Sequence, residues 1–234
     1  MKLKSIVLGA FFSVSFLAGK AQTADEVISK YIENKGGADN IRSTKTLIMH
    51  GNINQGGNKI PITIYGINNK AFRIEFTFNG LTGYQIVTDT AGWGFNPFAG
   101  QTSAEPMTAD DVKSSQDQLD LQDDLLDYTS KGTTVEYLGK DDVEGTECHK
   151  LKVTFKNGKE KTYYIDTQDN LLVKVTEKIT ANGQEMESAT TFGNYQKTEN
   201  GVLMAHSIIN SLQGQIDIDT VEVNKEIDLA KFKP

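Results

Sequence analysis

The sequence predicts a mostly β protein with a few helices, its strands joined as antiparallel hairpins. Three observations carry this. The run Phe72-Arg73-Ile74-Glu75-Phe76-Thr77-Phe78 alternates apolar and polar residues without a break, and Leu151, Val153 and Phe155 do the same against Lys150, Lys152 and Thr154. One dry and one wet face per strand marks an antiparallel sheet rather than a doubly covered parallel one. Asn79-Gly80, Asn157-Gly158, Asn182-Gly183 and Asn200-Gly201 each fall between such runs, and Asn-Gly readily takes the two positive φ angles of a tight hairpin turn. Helical periodicity is confined to a segment near the N-terminus and to one acidic stretch in the middle of the chain.

In chain order, Met1-Lys2-Leu3-Lys4 is a short basic head, Ile6 to Ala18 is apolar, and Gly19-Lys20-Ala21 supplies small residues at the exit. This is the pattern of a cleavable signal peptide over residues 1–21, and the apolar run is too short for a permanent membrane span. Cleavage after Ala21 would start the exported protein at Gln22, with Ala24 as an alternative exit site. The remaining stretch, 22–234, reads as a single domain long enough to bury a full core.

Thr23 and Asp25 offer N-caps for a helix in which Val27, Ile28, Tyr31 and Ile32 form one stripe. Gly36-Gly37 ends it, and Ala38 to Arg42 adds a short turn. A first meander spans about 44 to 98, and consecutive hairpins span about 133 to 224. Near the end, Ile216 and Ile218 give way to Val221 and Val223, a slip of one residue that predicts a bulge. Between the two β halves, Pro97 and Pro106 bracket a loop, and Thr108 caps an acidic amphipathic helix predicted from Ala109 to about Asp127. Val112, Leu119 and Leu126 recur along it at seven-residue spacing with Leu125 beside them, a stripe suited to covering something apolar.

Charge and motif content exclude several function classes. The full chain carries 24 Lys+Arg against 31 Asp+Glu, and without the three leader lysines the net charge is −10, so a nucleic-acid partner is excluded by repulsion of phosphate. The one cysteine, Cys148, rules out an intramolecular disulfide framework and stands far from the cleavage site, so no lipid anchor is predicted. It reads as a half-buried strand residue. His50, His149 and His206 lie singly in strand-like runs with no metal-ligand spacing, and the sequence holds no His-Glu-x-x-His, paired-cysteine, Gly-x-Ser-x-Gly or phosphate-loop motif. The aspartates of the middle helix lack the alternating spacing and bend glycine of a calcium loop. No catalytic residue, metal site or cofactor is expected. The distinctive feature is aromatic: Tyr84, Trp93, Phe95 and Phe98 follow the strand holding Phe76 and Phe78, with three rings set among glycines and a proline. These six side chains are the candidates for an apolar cavity or its mouth, while Phe72 and Ile74 are expected in the packed core.

The order of elements then becomes informative. A helix of the form Ala24-Asp25-Glu26-Val27-Ile28-Ser29-Lys30-Tyr31-Ile32-Glu33-Asn34-Lys35-Gly36-Gly37 leads to a meander ending at Asp89-Thr90-Ala91-Gly92-Trp93. A Pro97-containing loop, an acidic helix, Gly145-Thr146-Glu147-Cys148-His149-Lys150-Leu151 and a hairpin with Tyr164-Ile165-Asp166 follow. Over essentially the whole exported chain this resembles the outer-membrane lipoprotein-sorting proteins of the LolA/LolB-like superfamily, in their Bacteroidetes-type variant. The resemblance implies a curved, incompletely closed antiparallel β-barrel with a helical lid or plug, here the helix at Val27 to Ile32 and the acidic helix with Val112, Leu119 and Leu126. It implies a hollow that holds acyl chains, each buried CH₂ contributing ~0.8 kcal/mol, and no catalytic residues. The partners so implied are a lipid or an acylated lipoprotein and membrane-associated transport or acceptor proteins, and the place is the periplasm. Acceptor members are themselves lipoproteins; this chain has no lipidation cysteine and so resembles the soluble carrier side. The alternative is an envelope regulatory or sensor module that takes a protein partner in the same barrel. A hydrolase ranks third.

Overall fold

A computed structural model describes residues 23–181, 184–212 and 214–234. The expected leader and the expected Asn182-Gly183 turn therefore lie outside the described residues. The chain opens with α1 (Ala24–Asn34). Thr23 caps it through a reciprocal capping box with Glu26, and Val27, Ile28, Tyr31 and Ile32 are its buried stripe, as the periodicity requires. Gly37 begins the short α2 (Ala38–Arg42).

Among the described residues, thirteen strands then form one sheet. The first meander is β1 (Thr46–Gln55), β2 (Asn58–Ile67), β3 (Ala71–Phe78), β4 (Leu81–Thr88), β5 (Gly92–Phe95) and the two-residue β6 (Glu105–Pro106). The second is β7 (Thr134–Val143), β8 (Thr146–Thr154), β9 (Glu160–Asp166), β10 (Leu172–Ala181), β11 (Gln184–Lys197), β12 (Leu203–Asn210) and β13 (Gly214–Val223). Every pairing is antiparallel, and the order is β6-β5-β4-β3-β2-β1-β13-β12-β11-β10-β9-β8-β7. The single non-sequential pairing, β1 with β13, joins the two meanders. The sheet's edges, β6 and β7, are neighbours in sequence and are not paired, so the barrel stays open along one seam. The chain from 107 to 133 crosses at that seam. Pro106, which cannot donate to a ladder, sits on an edge strand where that costs nothing.

Register follows turn chemistry. Asn79 and Gly80 both take positive φ (50° and 78°) and close a two-residue turn, pairing Phe78 with Leu81 and Glu75 with Tyr84. At 157–158 and 200–201 only the glycine adopts positive φ, so those hairpins use other turns than the sequence pattern predicts. The predicted bulge is present: His50 pairs with Thr220 and Gly51 with Ile218, leaving Asp219 as the extra residue.

Three further expectations are corrected. The acidic stretch is not one helix from 109 to 127: α3 (Ala109–Ser115) passes into a 3₁₀ turn at Gln116–Leu119, and turns follow to Gly132. The aspartates are the reason. Asp120 and Asp123 accept hydrogen bonds from the amides of Gln122 and Leu125 two residues on, and Asp123 and Asp127 take φ of 94° and 52°; such local bonds compete with helix. Cys148 is fully buried rather than half-buried. The predicted wet face of β3 is partly dry: Arg73 is buried, donates to the Lys231 carbonyl, pairs with Glu75 and lies 4.0 Å from the Tyr84 ring centre. The C-terminal segment, with Ile227 and Phe232, packs on that face beside Ala71 and Ile86. The larger core lies on the other face, where α1, Leu125 and Leu126 pack against Leu151, Val153, Tyr163 and Ile165.

Candidate functional site: the cavity beneath the crossing segment

A cavity of about 400 Å³ lies between the inner face of the sheet and the covering elements. Leu47 of β1, Phe72 of β3, Tyr163 of β9, Val175 of β10, Phe192 of β11 and Ile208 of β12 all line it. Strands so far apart in the sheet can meet round one hollow only because the sheet curves. Gly66 of β2 lets the crossing segment in: a Cβ there would collide with Leu121, whose side chain rests on it.

The opposite wall is of another character. The crossing segment contributes Asp117, Asp120, Asp123 and Asp124, and α1 and its C-cap add Tyr31 and Lys35. These charges are paired in a connected network. Asp117 meets Lys161 at 2.8 Å and Lys159 at 3.1 Å; Lys159 also meets Glu177 of β10 at 2.9 Å. Lys35 pairs with Asp123, which also accepts from the Tyr31 hydroxyl, and Asp124 accepts from the Tyr163 hydroxyl. Lys131 pairs with Asp120. Burial works to raise Asp117 and Asp123, yet the lysines outweigh it and hold both carboxyls below their ordinary values. At Asp124 burial wins over Lys161 and Tyr163, and its carboxyl is raised. Burial, reinforced by the neighbouring aspartates, pushes the phenols of Tyr31 and Tyr163 well up.

The six aromatic candidates divide between the two faces of the sheet. Phe76 and Phe78 share the Phe72 face of β3, and the Phe98 ring stands 5.8 Å and 6.2 Å from theirs. Tyr84 pairs with Glu75 and Phe95, and Trp93 with Ile86, which puts Tyr84, Trp93 and Phe95 on the opposite, Arg73 face. None of the six lines the 400 Å³ cavity; Trp93 borders a second hollow at the β5 edge together with Met107 and Val112. Val112, Leu119 and Leu126 are all buried. Phe72, expected in the packed core, lines the cavity instead. The division was available in the sequence: once Asn79-Gly80 is a two-residue turn, Tyr84 must oppose Glu75. Tyr31 was expected in the buried stripe of α1, but Lys35 and Phe192 carried no local signal, because the three meet only through the closure of the sheet by β1 and β13.

Among the described residues no three His, Cys, Asp or Glu side chains are placed to hold a metal ion, and no helix is long and apolar enough to cross a membrane. His149 and His206 are buried singly, His206 against the Ile218 carbonyl.

No protein-family model matches the chain, and no curated protein matches it. Solved structures do. A domain named as an outer membrane lipoprotein-sorting protein from Vibrio parahaemolyticus superposes with a TM-score of 0.56 at 12% identity, over 88% of this chain and 94% of that one. A LolA superfamily protein from Nitrosomonas europaea gives 0.55 at 11%, over 92% and 99%. A DUF1329 family protein from Desulfovibrio piger gives 0.52 at 12%, over 91% and 98%. The fold is thus of the LolA type, an open, curved antiparallel sheet with helical cover, as the element order implied.

Proposed function

We propose that this protein is an exported, periplasmic carrier or binding protein for lipoprotein acyl chains or another hydrophobic ligand, of the outer-membrane lipoprotein-sorting type and without catalytic work of its own. The observation that carries the reading is the cavity: about 400 Å³, walled on the sheet side by Leu47, Phe72, Val175, Phe192 and Ile208, within the ~300–1,000 Å³ usual for small-molecule sites. The fold shared with a named lipoprotein-sorting domain supports it. In this reading the segment 107–133, with Val112, Leu119 and Leu126, is the lid. Phe76, Phe78 and Phe98, on the Phe72 face, are the mouth, whereas Tyr84, Trp93 and Phe95 belong to the outer face. Native mass spectrometry of protein purified from its own periplasm, followed by organic extraction, tests this. A bound lipid or acylated peptide supports the reading; protein that is empty and takes up no acyl probe overturns it.

A second reading, an envelope regulatory or sensor module with a protein partner, draws on one observation. Leu81, Phe98, Met186, Ile209 and Leu212 are exposed and sit at or near strand ends at the same end of the sheet, with Ile209 on the face opposite to Met186. Exposed apolar groups that join into one patch mark interaction sites. A stoichiometric protein partner recovered with an empty cavity would favour this reading.

A further inference from the structure

The cavity's two walls differ in kind, and the difference bears on what kind of head group an acyl ligand can carry. The sheet wall is apolar except at Lys161, Glu177 and Thr190. The wall formed by the crossing segment, with Glu177 opposite it, presents five carboxylates: Asp117, Asp120, Asp123, Asp124 and Glu177. The lysines at this wall are already engaged. Lys35 is held by Asp123, Lys131 by Asp120, Lys161 by Asp117, and Lys159 by Asp117 and Glu177. Five acids thus face four ammonium groups, each of which has a partner at ion-pair distance.

We propose, resting on the carrier reading above, that the cavity selects acyl ligands whose polar end is uncharged, such as an ester, amide or hydroxyl, and rejects the same chains ending in carboxylate or phosphate. An anionic head would have to stand unpaired among carboxylates or take a lysine from one of them, and either leaves a negative charge uncompensated in a partly buried site. A neutral head disturbs no pair. It also finds an acceptor waiting: the buried Oε2 of Glu177 lies 2.9 Å from Lys159 but receives no aligned hydrogen bond among the described residues. A hydroxyl or amide N–H donating to that oxygen would satisfy it.

The test is competition by palmitoyl ligands of matched chain against a fluorescent neutral acyl probe, on the exported protein. Monopalmitoylglycerol and palmitamide are expected to displace the probe at concentrations at least about tenfold lower than palmitate or a palmitoyl phosphate. Palmitate binding as well as monopalmitoylglycerol would overturn the inference while leaving the carrier reading intact, and so would hexadecylamine binding more tightly than the neutral ligands. Binding of none of these ligands would overturn both. Glu177→Gln and Asp124→Asn each keep the shape and remove a charge; both are expected to bring palmitate within a few fold of monopalmitoylglycerol, and Glu177→Gln, which alters the acceptor assigned to the head group, is also expected to weaken monopalmitoylglycerol by a few fold. Undiminished discrimination in both folded variants would overturn the role given to these carboxylates.

Discussion

Lys161 of β9 and Asp117 of the crossing segment form a 2.8 Å ion pair in which neither side chain is more than 14% exposed. Asp117 takes a second lysine, Lys159, at 3.1 Å. The segment that spans the open seam is therefore tied to the second meander by buried charge as well as by Leu125 and Leu126.

Loss of one partner of a buried pair leaves the other uncompensated, which costs more than the pair contributes. Asp117→Asn should destabilise the protein by roughly 3 kcal/mol, read as a lower urea midpoint. Lys161→Met should cost less, because Asp117 keeps Lys159. If Asp117→Asn is neutral in urea, the segment is held by its leucines alone.

Asp117 and Asp123 are both held below the ordinary carboxyl range by lysines that outweigh burial. A depressed folded-state value means stability that is present above the unfolded-state value, about pH 4, and lost as pH falls through the folded-state value. Asp124 is raised by burial, so its contribution has the opposite sign: present at low pH and lost as pH rises through its folded value. Thermal melts from pH 7 downward should show the steepest loss below about pH 4, and Asp123→Asn should flatten that slope. Asp124→Asn should instead raise stability near neutrality.

Gly83 of β4 faces the ring of Phe76, its pairing partner, and a Cβ there would meet that ring and lie 2.9 Å from the Phe95 carbonyl oxygen. Gly83→Ala should cost about 1–3 kcal/mol by overpacking. Phe76→Leu should recover part of that cost in the double variant, a coupling that a double-mutant cycle measures; strict additivity would show that the two positions do not press on each other.

Cys148 is fully buried in β8, and burial first, then Asp166, Asp142 and Asp141, push its thiol up to about 11. The thiolate is the reactive form. Native protein at pH 8 should therefore resist a disulfide-exchange reagent and react fully in denaturant, and rapid native labelling would show that β8 opens locally.

Much of the fold could be read locally. The Thr23 cap, the stripe Val27, Ile28, Tyr31, Ile32, the alternation of β3 and β8, and the bulge at Asp219 are each decided by residues within a few positions. The acidic stretch misled because periodicity at Val112, Leu119 and Leu126 reports which side chains are buried, not what backbone buries them. All three are buried, but after Leu119 they are held by turns that aspartate side chains cap. Arg73 misled for a related reason: alternation separates two faces but cannot show that a distant C-terminal segment covers the polar one.

The sequence by itself determined the strands, their antiparallel pairing with near neighbours, and the dry stripe of α1, because these depend on side-chain period, turn geometry and capping, all short-range. The face of Tyr84 relative to Phe76 is also fixed locally, by the length of one turn, although the six rings were expected together at one cavity. Only the tertiary structure decided where the cavity lies and how it is charged. The pairing of β1 with β13 curves the two meanders round a common hollow, and that curvature brings Phe72 to Phe192 and Asp117 to Lys161 across gaps no local pattern spans. The balance between burying an aspartate and pairing it with a lysine belongs to that three-dimensional arrangement, because both depend on distances that the order of residues does not contain.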